Sequence, residues 1–107
     1  MLYELRIYHM HEGKMEDIHR RFHEVTLDLF AKHGIRVVNF WEDATGKETL
    51  YYVVEYEDMA TREQRWNAFA ADPSWQQAKL ASEAHGPIVS KINQFFMTEV
   101  PYFPRQN

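Results

Sequence analysis

The chain has 107 residues, of which 45% are hydrophobic and 26% charged, and we expect one domain with a core at about 2–100 and a tail at 101–107. The formal net charge of −4 gives no electrostatic basis for binding nucleic acid or an anionic membrane, and the absence of cysteine excludes disulfides, thiolate metal sites and a thiol nucleophile. Since no signal peptide or transmembrane helix is recognisable, we expect a cytoplasmic protein that does not bind membranes.

The first half of the chain predicts a strand, a helix and a hairpin. Residues 2–9 alternate with a period of two, which is typical of a strand. Apolar residues then recur every three or four positions, which predicts an amphipathic helix that ends at Gly34 as a left-handed cap. Residues 35–42 and 50–57 are rich in β-branched and aromatic residues around a glycine turn at 44–46, and these features predict an antiparallel pair.

The second half predicts a helix, a break and a last strand. The helix begins near Asp58 or Thr61, since either side chain can cap it. Asp72 and Pro73 then break and restart it, because aspartate caps helices and proline is tolerated at the first helical position. The apolar run at 88–100 supplies the fourth strand.

The order of these elements predicts an α+β fold of the ferredoxin-like βαββαβ type. Such a chain forms a four-stranded antiparallel sheet with two helices on one face. The strands, however, are apolar on both faces: in the second, Val37 and Trp41 oppose Val38 and Phe40. An apolar face without helices needs a cover, and the simplest cover is a second copy across a two-fold axis. We therefore expect a homodimer, or a higher oligomer built from it.

Four short motifs carry a family resemblance. They are Tyr3-Glu4-Leu5-Arg6 in the first strand, the Trp41 strand with its glycine turn, Tyr56 at the end of the third strand, and Phe69 to Trp75 with its Asp-Pro pair. Together they resemble the NIPSNAP family, a branch of the dimeric α/β barrel superfamily, over about residues 2–100. The resemblance implies a homodimer whose two sheets form a shared barrel, with a ligand cavity between each sheet and its helices. Because the function of this family is poorly defined, the resemblance implies a fold more than an activity.

Histidine pairs are candidates for metal binding. His19 and His23 are four apart on the predicted helix, a spacing used by metal ligands, but the neighbouring arginines would repel a cation. His9 and His11 are two apart at a strand end and lack accompanying carboxylates. We interpret both pairs as partly solvated histidines, and we predict neither a metal site nor a cofactor.

Three charged residues on neighbouring strands form a further candidate group. Glu4 and Arg6 share one face of the first strand, and Glu55 lies on the third strand, the expected neighbour of the first. If this face looks into the dimer barrel, the charges must pair there, since an isolated buried ion is very costly. A structural ion pair is the favoured interpretation, and a catalytic acid with an electrophile is the alternative.

The predicted substrate pocket lies between the sheet and the helices. Glu4 and Arg6 are expected to face away from it. The candidate binding residues are polar or amphipathic and lie on elements expected to converge there: His9, Asn39, Tyr52, Trp66 and His85. Asn39 lies where the family pattern has a small residue, often glycine. Its side-chain amide either forms hydrogen bonds with the neighbouring backbone or points toward a ligand.

Three hypotheses for function follow, and none assigns a catalytic residue. The first is the handling of a small aromatic or polyketide-like molecule by a cofactor-independent enzyme, and the second is a non-catalytic binding or interaction module. The third is haem binding or a monooxygenase-like activity, which relatives in the superfamily suggest. That third activity requires an asparagine and a histidine at the positions where this sequence has Ile7 and Gln76. The third hypothesis is therefore the least favoured.

Overall fold

The computed structural model describes residues 1–103 and has the predicted ferredoxin-like architecture. In chain order its elements are β1 (Leu2–Met10), α1 (Met15–Arg21), a π-helical segment (Phe22–Thr26), α2 (Leu27–Lys32), β2 (Arg36–Glu42), β3 (Thr49–Tyr56), α3 (Met59–Ala71), α4 (Pro73–Ser82) and β4 (Val89–Thr98). The strands are antiparallel and lie in the order β2-β3-β1-β4. Of the predicted tail at 101–107, residues 104–107 lie outside the described part of the chain.

Membrane insertion of a helix finds no support in this architecture. Among residues 1–103, no helix combines the length and the apolar character that a bilayer crossing requires.

The first helical run is continuous from α1 to α2 but contains a π-helical segment that sequence periodicity did not predict. The Leu27 amide donates to the carbonyl of Phe22, five residues back, and the Thr26 hydroxyl donates to the Arg21 carbonyl at 3.2 Å. Gly34 ends the run with a φ of +71°, which confirms the predicted left-handed cap.

Aspartate caps start both later helices. Asp58, rather than Thr61, caps α3 by accepting a hydrogen bond from the Thr61 amide at 2.8 Å. Asp72 caps α4 in the same way, accepting from the Ser74 amide at 2.9 Å, with Pro73 as the first helical residue. The predicted break and restart of the helix are confirmed.

The hydrophobic core lies between the helices and one face of the sheet. Tyr52, Val54 and Tyr56 alternate along β3 toward the helices and are almost fully buried. The Tyr52 ring packs edge-on against Phe22 at 5.3 Å between centroids and lies 6.2 Å from Phe30. The opposite face, which we call the open sheet face, has no helix on it.

A β-bulge changes the faces that simple alternation assigns to β2. The pairing passes from Val37 opposite Val54 to Asn39 opposite Val53, so Val38 is the extra residue. Val37 and Phe40 therefore share the helix-covered face, whereas alternation had placed them on opposite faces. The predicted face assignment of β2 is wrong for this reason.

The predicted orientation of Glu4 and Arg6 is also wrong. Both side chains are buried on the helix-covered face, in the gap they were expected to avoid. The two side chains do pair with each other, although on the helix-covered face and not in a dimer barrel, since Arg6 Nη1 lies 2.9 Å from Glu4 Oε2. Glu55 is on the open sheet face instead, where Arg36 Nη2 donates to it at 2.8 Å.

Candidate functional site

A buried charge network occupies the centre of the helix-covered face. Glu4 is fully buried and accepts hydrogen bonds from Arg6 at 2.9 Å, from Arg62 at 2.9 and 3.0 Å, and from the Gln94 amide. Arg62 comes from α3, as does Trp66 one turn later, so one helix face supplies both a counter-charge and a ring. The Arg6 guanidinium lies 4.2 Å from the centre of the Trp66 ring, a cation–π distance.

This network ends in two phenols. Arg6 Nε donates to the Tyr52 hydroxyl at 2.9 Å, and the Tyr8 and Tyr52 hydroxyls lie 2.8 Å apart. Burial and the neighbouring Tyr8 raise the pKa of Tyr52 well above its ordinary value, although Arg6 opposes that rise. Tyr52 therefore stays neutral at physiological pH and serves as a hydrogen-bonding group.

The ionisation of Glu4 is set by its partners. Burial alone raises the pKa of Glu4, but the hydrogen bonds from Arg62 and Gln94 and the charge of Arg6 outweigh it, and the net shift is downward. A carboxylate held ionised by two buried arginines is a poor proton donor or acceptor at neutral pH. The arrangement fits the structural ion pair better than the catalytic alternative.

A cavity of about 430 Å³ opens beside this network, between the first helical run and strands β2 and β3. We call it the aromatic cavity. Its apolar lining residues are Phe22, Leu27, Phe40, Trp41 and Leu50, and its polar lining residues are His19, His23 and Glu42.

Stacked rings lie beneath the aromatic cavity. The Phe40 and Tyr52 rings are 4.9 Å apart and nearly parallel, at 23°, and Phe22 packs edge-on against Phe40 at 5.0 Å. Phe22 and Phe40 line the cavity itself, while Tyr52 is buried behind them. A flat apolar ligand would therefore meet ring faces and edges already fixed by packing.

The polar side of the aromatic cavity carries one paired histidine. His19 Nε2 is hydrogen-bonded to Glu42 Oε1, across from α1 to the end of β2. An ionised carboxylate only accepts hydrogen bonds, so Nε2 must carry the proton and the other ring nitrogen, Nδ1, is the accepting one in the neutral ring.

The π-helical segment shapes this cavity. It contributes Phe22 and His23, and Leu27 follows it directly. The Thr26 hydroxyl satisfies the Arg21 carbonyl, which helps to hold the wide turn. Single π-helical turns occur frequently at functional sites, because they change which side chains a helix presents.

Two of the five residues predicted to bind substrate lie in the sheet–helix gap. Tyr52 and Trp66 both belong to the layer between sheet and helices, as expected. Each is a neighbour of Arg6, and neither lines the aromatic cavity directly. Their role in ligand binding stays a prediction.

The other three predicted residues are not brought together with them. His9 lies on the open sheet face, where its Nε2 is 2.8 Å from Asn93 Oδ1. Asn39 follows the bulge and is exposed, and its side-chain oxygen accepts from the Phe40 amide at 2.8 Å. His85 is an exposed residue of the loop before β4. Their expected convergence in one gap failed because of the bulge and because His9 shares the face of Ile7.

The residues of the aromatic cavity were missed by sequence reasoning for identifiable reasons. His19 and His23 were singled out, but only as a weak metal pair. Phe22 and Phe40 matched ordinary core patterns, and the π-helical turn left no periodic signal. Within the described residues, no group of three or more His, Cys, Asp or Glu side chains is arranged to hold a metal ion.

Solved structures with the same architecture support the fold assignment. A NIPSNAP domain protein from Burkholderia xenovorans superposes with a TM-score of 0.84 at 21% identity, over 98% of this chain and 100% of that one. A NIPSNAP family protein from Agrobacterium tumefaciens gives a TM-score of 0.85 at 17% identity, over 98% of both chains. A putative antibiotic biosynthesis monooxygenase from Deinococcus radiodurans gives 0.65 at 9% identity over the full length of both.

The family model for NIPSNAP proteins matches residues 3–104 of the sequence, whereas no curated protein matches it. The matched region covers the sheet, both helical runs, the Asp72 cap and the aromatic cavity. The resemblance seen in the four sequence motifs is confirmed over almost the whole length. The chain belongs to the NIPSNAP family.

Proposed function

We propose that this protein binds a small, mainly aromatic organic molecule in the aromatic cavity. The observation that carries the proposal is a space of about 430 Å³ with ring-lined apolar walls and a few polar groups on one side. Ligand sites for small organic molecules have this size and this distribution of polarity.

The contacts available in the cavity favour a flat, neutral ligand. Phe22 and Phe40 offer ring contacts worth about 0.5–1.5 kcal/mol per aromatic pair beyond the area they bury. The His19–Glu42 pair offers a donor or acceptor at the edge, suited to a hydroxyl or carbonyl group. A phenol or a polyketide-like ring system combines these two features.

A binding role is supported more strongly than catalysis by the buried network. Glu4 is fixed by three side chains, and Tyr52 is held between Arg6 and Tyr8. Tyr52 packs against the Phe22 and Phe40 rings and so supports the cavity wall. None of the four groups lines the aromatic cavity, so a molecule bound there would not contact them.

A second candidate function is proton abstraction from the bound molecule, favoured by the His19–Glu42 pair alone. With Nε2 donating to Glu42, Nδ1 of neutral His19 could take a proton from an acidic C–H group of the ligand. The similar fold described as an antibiotic biosynthesis monooxygenase offers an analogy for chemistry on organic molecules. Deuterium exchange into a bound ligand by the wild type, but not by His19→Gln, would support it; equal exchange in both would reject it.

Assembly as a homodimer through the open sheet face is part of the proposal. Val53, Leu5 and Phe95 lie side by side in register across β3, β1 and β4, and Ile7 and Met97 flank them. Phe95 and Met97 are exposed in the single chain. Exposed apolar patches of this kind mark interaction sites, and a self-complementary face suits a two-fold dimer.

The test of the binding proposal is native mass spectrometry of purified protein, followed by identification of any bound adduct. Leu27 lines the aromatic cavity, so Leu27→Trp should fill it and remove the adduct. Leu80→Trp adds the same ring at an exposed position of α4 outside the cavity and serves as the matched control. Where no adduct copurifies, neutral 2-naphthol is added to all three proteins; equal binding by both variants would overturn the proposal.

A further inference from the structure

Among residues 1–103, three arginines are buried, and one of them differs from the others. Arg6 and Arg62 both bond to Glu4, at 2.9–3.0 Å. Arg21, at the end of α1, is only 7% exposed, yet no carboxylate of residues 1–103 lies within 4 Å of it. Its Nε is buried and has no hydrogen-bond partner within the same residues.

The contacts that Arg21 does make do not neutralise its charge. Nη1 donates to the Ser82 hydroxyl at 3.3 Å, and the guanidinium lies 5.1 Å from the centre of the Trp75 ring. A guanidinium has five N–H donors arranged as a planar fork that matches a carboxylate. Glu83 compensates this charge in part, but no carboxylate of residues 1–103 lies within ion-pair distance of the guanidinium. A buried cation with only a distant counter-charge is costly, which favours an anion in a cavity beside it.

A cavity of about 340 Å³ adjoins Arg21, and we call it the arginine cavity. It shares no lining residue with the aromatic cavity. Its charged lining residues are Arg21, Lys79, Lys91 and Glu83, which gives three positive charges against one negative. The Glu83 carboxylate already accepts the Ile88 amide at 3.2 Å, so it is partly engaged with the loop before β4.

The remaining lining of the arginine cavity is apolar apart from Ser90, whose hydroxyl donates to the His9 carbonyl at 2.8 Å. Val89 and Ile92 come from β4, and Tyr8 contributes its ring from β1. The Tyr8 hydroxyl is turned to Tyr52 at 2.8 Å. The cavity thus combines a buried guanidinium, two lysines and an apolar wall, which suits a molecule with one acidic end and one apolar end.

We propose that the arginine cavity binds an organic carboxylate, with the carboxylate on the Arg21 guanidinium and the apolar body against Val89 and Ile92. An isolated inorganic ion would leave the apolar walls without a partner. The site is separate from the aromatic cavity and does not depend on the function proposed for it.

The test is an NMR titration of the ¹⁵N-labelled full chain with benzoate, phenylacetate and hexanoate. Benzamide is the neutral match for benzoate, and inorganic phosphate is the competing anion. At least one carboxylate should bind saturably, moving the Arg21 Nε–H resonance and the amides of Val89 and Ile92. Benzamide and phosphate should bind at least about tenfold more weakly, because a charged hydrogen-bond pair and apolar contact are both required.

Variants then assign the effect to Arg21. Arg21→Met should weaken carboxylate binding at least about tenfold, and Arg21→Lys, which keeps the charge but loses the planar fork, should also weaken it. Arg20→Met is the control, because Arg20 is exposed, pairs with Asp17 and does not line the arginine cavity. Binding of none of the three carboxylates, equal binding of phosphate, or unchanged affinity in Arg21→Lys would each overturn the proposal.

Discussion

The two faces of the sheet differ in the side chains that they carry. The helix-covered face buries Glu4 and Arg6 in its centre, while the open sheet face presents apolar side chains such as Leu5 and Phe95, and its buried carboxylate, Glu55, pairs with Arg36 of the neighbouring strand. Period-two alternation of the sequence alone would place the charged side chains on the open sheet face and the apolar ones toward the helices. Charged strand residues can therefore face a core when the opposing layer supplies their partners.

The layer that supplies those partners is α3. Arg62 bonds to Glu4 through two nitrogens, and Trp66 lies against Arg6. Without Arg62 and Trp66, the desolvation cost of burying Glu4 and Arg6 would exceed the stabilisation that their mutual attraction provides. The open sheet face has no such layer, so its composition suits contact with another apolar surface.

The largest expected effect comes from breaking the buried network. Glu4→Gln should lower the free energy of unfolding by about 3–5 kcal/mol, because it leaves Arg6 and Arg62 buried without their shared carboxylate. Chemical denaturation measures the change. Glu63→Gln removes the exposed partner of Arg62 at 3.1 Å and should cost under about 1 kcal/mol. Equal costs for the two variants would contradict the importance of burial.

The next effect separates the two faces of β4, which carry similarly exposed apolar residues. Phe95, 51% exposed, lies on the open sheet face, and Ile92, 45% exposed, lies on the opposite side. Phe95→Asp should weaken self-association by about two orders of magnitude, since an unpaired charge would enter the proposed interface. Ile92→Asp should leave association unchanged in analytical ultracentrifugation. A dimer that tolerates Phe95→Asp would place the interface elsewhere.

The smallest effect concerns a charge pair inside the helix layer. Hydrogen bonds from Lys32 at 2.8 Å and His33 at 2.7 Å, with the Ser74 amide, hold the pKa of Asp72 well below its ordinary value of 3.8. A lowered folded-state pKa stabilises the protein above the unfolded value, and this stabilisation is lost as the pH falls toward the folded value.

Thermal unfolding of Asp72→Asn measures that contribution. The variant keeps a side-chain oxygen that can cap the helix, and at pH 6 its melting temperature should be a few degrees below that of the wild type. This difference in melting temperature should become smaller as the pH falls from 4 to 2. Asp28→Asn, at an exposed position of α2, should show no such trend. A difference in melting temperature that does not change with pH would mean that the charge of Asp72 does not contribute to stability.

Much of the fold was predictable because its signals are local. The Gly34 cap and the Asp58 and Asp72 caps follow from residues close together in sequence, and the strand order follows from the succession of predicted elements along the chain. The β-bulge at Val38 and the π-helical segment were not predictable, since each inserts one residue without a compositional mark.

The candidate site was harder to predict because it depends on those two irregular features. The bulge puts Phe40 over Tyr52, and the π-helical segment puts Phe22 and His23 at the same opening. Tyr52 and Trp66 were placed in the correct layer from alternation and helical spacing. His9 and Asn39 were misplaced because one-residue errors exchange the faces of a strand.

A ¹H–¹⁵N NMR titration of the full chain with 2-naphthol tests whether an aromatic molecule binds in the aromatic cavity. We expect saturable shifts that are largest at the amides of Phe22, His23, Phe40 and Leu50, and we expect these shifts to be lost in Leu27→Trp but kept in Leu80→Trp. Saturable shifts centred on Leu5 and Phe95 of the open sheet face, or on His85, with the aromatic cavity unaffected, would show that the ligand binds elsewhere.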